Sequence, residues 1–113
     1  MKCDVLVAGG GPAGCVAAAN MAGELDVKVL EEHSHIGEPV QCAGLVTPRV
    51  VEMVSASDTV LNSIDGAYIR FPGGRVIELQ GNGVKAVVVD RGEFDRRCAL
   101  LAEKAGAEVL AGR

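Results

Sequence analysis

Gly9, Gly11 and Gly14 stand at G-x-G-x-x-G spacing in Gly9-Gly10-Gly11-Pro12-Ala13-Gly14, between an apolar run and an alanine-rich one. Residues of this type at this spacing bind anions. A glycine at the first position permits a tight strand-to-helix turn. At the second it removes the Cβ that would block a pyrophosphate, and at the third it lets the helix lie close to the sheet. The amides near Pro12, Ala13 and Gly14 fall at a helix N-terminus, where unpaired N–H donors and the helix dipole favour negative charge. Glycine turns also serve packing alone, so a second signal is required: an acid at the end of the next strand, roughly 20 residues on, to accept ribose hydroxyls. Glu31 and Glu32 directly follow the apolar run Val27-Lys28-Val29-Leu30. A turn with two solvated acids explains less of this pattern than a dinucleotide site does. A carboxylate here also disfavours a 2'-phosphorylated adenosine by charge repulsion.

The second place where chemistry is conceivable is Cys42, at the centre of Ile36–Val46, IGEPVQCAGLV. Glycine and proline break this stretch too often for a helix, and it is too apolar for an idle surface loop. A reactive thiolate needs a nearby cation or helix start. The nearest expected start, Thr47-Pro48, is several residues away, and no histidine stands in a recognised nucleophile pattern. Cys42 is therefore expected to shape a site rather than to attack a substrate. His33 and His35 could be paired with Glu38 or Cys42 around a metal, but no third ligand stands at a zinc spacing, so solvated histidines and no metal are expected. Cys3, Cys15 and Cys98 fall on faces expected to be buried and read as small hydrophobes.

These residues need an α/β frame to hold them. Cys3–Ala8 is a continuous apolar run, as in a strand buried on both faces. Ala13–Ala22 suits a helix packed close to a sheet, with Gly23 ending it, and Asp26–Leu30 is a second strand. Together they predict a β-α-β unit. Gly37–Val46 is a loop, followed by a short helix from Thr47-Pro48 through about Val54. Ala67–Phe71 and Arg75–Leu79, joined at Pro72-Gly73-Gly74, alternate like a two-stranded antiparallel ribbon. Ala86–Asp90 reads as a third strand of the sheet, Glu93–Lys104 as an amphipathic helix stopped by Gly106, and Glu108–Leu110 as a last strand.

At 113 residues, one small core is available. With 49% hydrophobic but only 3% aromatic residues, that core must be aliphatic. The net charge of −4 and the lack of any basic cluster beyond Arg96-Arg97 exclude a nucleic-acid footprint. Scattered cysteines without a CxxC pair, and the absence of a signal-like start, favour reduced thiols and a cytoplasmic location. No apolar run is long enough to span a bilayer, which leaves peripheral membrane contact as the form of association open to the chain.

With these readings in place, the blocks CDVLVAGGGPAGCVAAANMAG, VLEE, IGEPVQCAGLV and VVVDRGEFDRRCALLAEKAGAEVL together resemble the amino-terminal part of the geranylgeranyl reductase family. These flavoproteins are related to the aromatic-ring hydroxylases. The resemblance implies a Rossmann-like FAD-binding domain of which residues 1–113 are the amino-terminal part, the ribbon being the start of a substrate-facing sheet. It places the FAD pyrophosphate at Gly9, Gly11, Ala13 and Gly14, and the spacing to Ile36-Gly37 points to Glu31, not Glu32, as the ribose acid. The loop holding Cys42, Ala43, Gly44 and Leu45 is implied to lie along the ribityl and ring portion, and Arg91 to touch the cofactor.

The implied activity is reduction of isoprenoid double bonds, in membrane lipids or the chlorophyll side chain, by hydride from reduced flavin, with NAD(P)H or ferredoxin as electron donor. The family pattern also includes a later Gly-Asp motif and a large substrate domain, neither of which is in these 113 residues. The chain alone is therefore expected to bind FAD weakly and to catalyse nothing. A flavin monooxygenase or quinone-linked dehydrogenase of the same fold, and a non-catalytic dinucleotide-binding module, are the competing expectations.

Overall fold

A computed structural model describes residues 2–113, which fall into two units. The first comprises the chain up to Cys42 together with Arg91–Arg113, and the second is Ala43–Asp90.

The first unit contains strand β1 (Val5–Ala8), helix α1 (Pro12–Met21), strand β2 (Val27–Glu31), helix α3 (Arg91–Ala105) and strand β8 (Glu108–Ala111). The strands form one parallel sheet in the order β1-β2-β8. Val5 pairs with Val27 and Val29 with Val109, so β2 runs through the middle with β1 and β8 beside it. Val27 and Val29, on the same face of β2, are fully buried.

Helices α1 and α3 pack against each other. They meet through small side chains, Cys15 and Ala18 on one and Cys98, Ala99 and Ala102 on the other, which permit close approach. Phe94 is the largest buried side chain, so the expected aliphatic core has one aromatic within it. Burial raises both the Cys15 and the Cys98 thiols to about 11, which keeps them protonated and unreactive at neutral pH. Cys3, expected to be buried with them, is only half-buried, because the strand begins at Val5 and leaves Cys3 outside the sheet.

The second unit contains β3 (Leu45–Val46), α2 (Pro48–Met53), a single 3₁₀ turn (Ser57–Thr59), β4 (Val60–Ile64), β5 (Gly66–Arg70), β6 (Val76–Gln80) and β7 (Ala86–Val89). Thr47 occupies the N-cap of α2 with Pro48 as the first helical residue, as expected, though the threonine side chain makes no capping bond. The β5–β6 ribbon forms where its alternation predicts it, from Gly66 opposite Gln80 to Arg70 opposite Val76. Its turn is closed by the Phe71 N–H on the Arg75 carbonyl at 2.8 Å.

One expectation is corrected. The valine run of β7 forms a strand, but it pairs antiparallel with β3 and β4 in a separate sheet, not with the parallel sheet. A short, wholly apolar strand looks the same in either setting, and its partner β4 escapes recognition because Asn62 and Ser63 interrupt the apolar pattern at a bulge. Val87 and Val89 join Val51, Val54, Ala56 and Thr59 in the buried core of this unit. The buried Thr59 hydroxyl donates to the Ala56 carbonyl at 2.6 Å, so its polarity is satisfied locally.

Candidate functional site

The glycines of the first turn separate by role. Gly9 adopts φ +105°, a left-handed conformation that other residues take only with strain, and this turns the chain from β1 into α1. A Cβ on Gly14 would lie 2.4 Å from the Gly9 carbonyl oxygen and 3.1 Å from Val7, so this glycine seats α1 against the sheet. Gly11 differs from both. A Cβ there would meet nothing within 4 Å, and the residue is the N-cap of α1 without a side-chain cap. The space beside Gly11 and the uncapped amides of α1 form a cradle suited to a phosphate oxygen.

The sequence reading assigned nothing to Gly10. A Cβ there would lie 2.6 Å from Ile36 Cδ1 and 3.2 Å from a Glu31 carboxylate oxygen. The close approach lets the Gly10 N–H donate to Glu31 Oε2 at 2.8 Å. Glu31 Oε1 accepts from the His33 N–H at 3.1 Å and lies 2.9 Å from the His33 ring Nδ1. The His33 N–H is the main influence holding the Glu31 carboxyl below the usual range. The Gly10 N–H and the His33 side chain add to it against an opposing effect of burial. The two acids at the end of β2 are thereby distinguished: the Glu31 side chain is 14% exposed and braced, while that of Glu32 is 82% exposed. A cavity of about 550 Å³ opens beside Glu31, walled by Ala8, Gly9, Leu30, His33 and Arg113 among others.

Arg91 begins α3, and its Nε donates to Asp95 Oδ1 at 2.9 Å, one helical turn on. Asp95 is the main influence raising the Arg91 guanidinium, and Cys42 lies within its reach, so the structure brings together two residues that the family resemblance implies at the cofactor. Arg91 is a cation near Cys42 that comes from 49 positions further along the chain, beyond the reach of local sequence rules. Loop and helix are held together at Gly37. It has φ +82°, and a Cβ would stand 2.7 Å from the Gly92 carbonyl oxygen and 3.0 Å from Gly92 Cα. Gly37→Ala is accordingly expected to destabilise the protein by about 2 kcal/mol through strain and backbone overlap. Urea denaturation checks this, and an unchanged midpoint would contradict it.

Ala43 and Leu45, grouped with Cys42 in the sequence reading, belong to the second unit. Leu45 there lines an apolar cavity of about 330 Å³ together with Ile64, Ala67, Leu79 and Ala86. Ala13 is exposed on the first turn of α1, next to the cradle formed around Gly11. Among the described residues no cluster of three or more metal-ligating side chains is assembled, and no helix is long and apolar enough to cross a membrane.

Residues 7–50 match the NAD(P)-binding Rossmann-like domain family. Over 113 aligned positions the chain is 41% identical to the digeranylgeranylglycerophospholipid reductase of Methanocella arvoryzae, an alignment covering 94% of this chain and 29% of that protein. The structure of a geranylgeranyl bacteriochlorophyll reductase-like protein from Thermoplasma acidophilum superposes with a TM-score of 0.86 at 33% identity, covering 97% of this chain and 30% of that one. The chain belongs to the geranylgeranyl reductase family. It spans under a third of the length of these reductases. A flavoprotein/dehydrogenase from Cytophaga hutchinsonii has the same fold, with a TM-score of 0.71 at 29% identity, covering 99% of this chain and 30% of that one. The α/β, Rossmann-like fold inferred from the glycine turn is thus the fold of the geranylgeranyl reductases and of a wider set of flavin enzymes.

Proposed function

We propose that residues 1–113 are the amino-terminal part of the FAD-binding domain of an FAD-dependent reductase acting on isoprenoid double bonds. The observation that carries this reading is the braced Glu31 at the end of β2, facing the open Gly11 cradle, in a chain 41% identical to a digeranylgeranylglycerophospholipid reductase. The donor set fits FAD: uncapped amides at Gly11, Ala13 and Gly14 for the diphosphate, and a carboxylate with only 14% exposure for the ribose. When bound and reduced, FAD supplies hydride to an alkene carbon. The chain's own residues bind and orient. Gly9 sets the turn, Glu31 anchors the adenosine end, and Arg91, fixed by Asp95, holds positive charge beside Cys42. Cys42 shapes the flavin side of the site; the same role for Ala43 and Leu45 rests on the family resemblance alone.

The substrate is an isoprenoid lipid, reached by peripheral contact with a membrane surface from the cytoplasm, and the electron donor is NAD(P)H or a ferredoxin. The exposed apolar side chains of the ribbon, Tyr68, Ile69, Phe71, Val76, Ile77 and Leu79, support an apolar substrate. The reading is tested by purifying the protein with its full-length context, recording bound flavin and following reduction of a geranylgeranyl lipid against oxygen consumption. Alkene reduction without oxygen uptake is expected, and oxygen-dependent hydroxylation would replace this reading with a monooxygenase. In that enzyme Cys42→Ser is expected to leave FAD affinity within a few-fold and to slow alkene reduction; unchanged kinetics would remove Cys42 from the site.

A further inference from the structure

Open parallel sheets bind their ligands beyond the carboxyl ends of the strands. That end of this sheet carries the cavity of about 550 Å³ beside Glu31, whose walls combine aliphatic Ala8 and Leu30 with three charged residues, Glu31, Glu32 and Arg113. With a ribose held on Glu31, the base joined to that ribose falls in or beside this space. Among the described residues walling it, only His33 and Arg113 carry a planar group broad enough to cover a base. The His33 ring is taken up by Glu31, with Nδ1 2.9 Å from Oε1. Arg113 is brought to the cavity by backbone geometry. It follows β8 through Gly112, whose φ of +74° bends the chain in a way that favours glycine. The Gly112 N–H donates to the His33 carbonyl at 2.8 Å and the Arg113 N–H to the Glu31 carbonyl at 3.0 Å, so residue 113 is clamped to the end of β2 whatever its side chain.

We propose that Arg113 is the platform for the adenine of the dinucleotide, its guanidinium stacking on the face of the purine whose ribose Glu31 holds. The inference rests on the FAD reading above. A guanidinium is planar, delocalised and weakly hydrated, so it lies readily on an aromatic face, where its charge is attracted by the ring electrons. Its N–H donors point outward in its own plane. Pairing with an acid at the edge and stacking through the face therefore do not compete. Adenine is uncharged, so the two glutamates of the wall do not repel it as they would a phosphate. The aliphatic groups of Ala8 and Leu30 suit the rest of the ring surface.

The test is calorimetric titration of the 113-residue chain with FAD and with FMN, which lacks the adenosine. Arg113→Ala is expected to weaken FAD binding by roughly 3- to 30-fold while leaving the affinity for FMN and the thermal midpoint unchanged, since the backbone clamp remains. Arg113→Tyr, which supplies a plane without charge, is expected to restore FAD affinity to within about threefold of the native value. Arg113→Lys, which keeps the charge and loses the plane, is expected to leave most of the deficit. FAD affinity unaltered in Arg113→Ala, an equal loss for FMN, or rescue by lysine and not by tyrosine would overturn the stacking role while leaving the FAD reading intact. No FAD binding by the unsubstituted chain would overturn both.

Discussion

Replacing Glu31 with alanine is expected to weaken FAD binding by roughly 1.5–3 kcal/mol, the worth of a charge-assisted hydrogen bond, or about 10- to 150-fold in Kd. The effect should be large because the carboxylate is already organised. The Gly10 N–H at 2.8 Å and the His33 N–H at 3.1 Å hold it in place, so little ordering remains to oppose binding. Glu31→Gln should fall between alanine and the native residue, since it keeps an acceptor and loses the charge. Glu32→Ala is the control. With its side chain 82% exposed, its loss should change affinity little; a larger effect at Glu32 than at Glu31 would transfer the ribose role to it. The brace also has a pH signature. Glu31 is held below the ordinary carboxylate value of 4.5, so its contribution to stability is present above that value and is lost as pH falls through the lower, folded one. Acid titration of thermal stability should be shallower in Glu31→Gln.

Gly14→Ala is expected to lower stability by about 2–3 kcal/mol and to disturb the dinucleotide site with it. The added Cβ would fall 2.4 Å from the Gly9 carbonyl oxygen, a backbone atom that cannot swing away as a side chain would. Relief requires α1 to lift from β1, which moves the amides of its first turn. Gly11→Ala separates packing from binding: a Cβ there meets nothing within 4 Å, so stability should hold while the methyl group intrudes on the space reserved for a phosphate. Urea denaturation and FAD titration of both variants read the two effects independently. Equal loss of stability in the two would contradict the division of roles between these glycines.

The β-α-β start, the ribbon and the last helix were legible in the sequence because each rests on local rules. Glycine spacing, the periodicity of apolar residues and proline at a first helical turn act within a few residues of one another. The placement of β7 was not legible. Its Ala86–Val89 run is apolar throughout, and only its pairing with Leu45–Val46 and Val60–Ile64 decides which sheet it joins. Strand pairing is a long-range choice, and a uniformly apolar strand carries no face preference to betray it.

The identity of the acid was half-legible. Sequence placed two glutamates after the strand. Tertiary structure chose between them, because strand alternation sends Glu31 toward the Gly10 amide and leaves Glu32 in solvent. Cys42 is the same case at longer range. Its loop was recognisable from glycine, proline and apolar content, but its neighbour Arg91 arrives from the start of another helix, held there by the Gly37–Gly92 approach. The sequence by itself determined that a dinucleotide-type turn exists and which residue types serve it, since those are constraints of local backbone geometry. Which side chains face one another across the site was decided only by packing, where a missing Cβ at Gly10 or Gly37 allows two segments distant in sequence to touch.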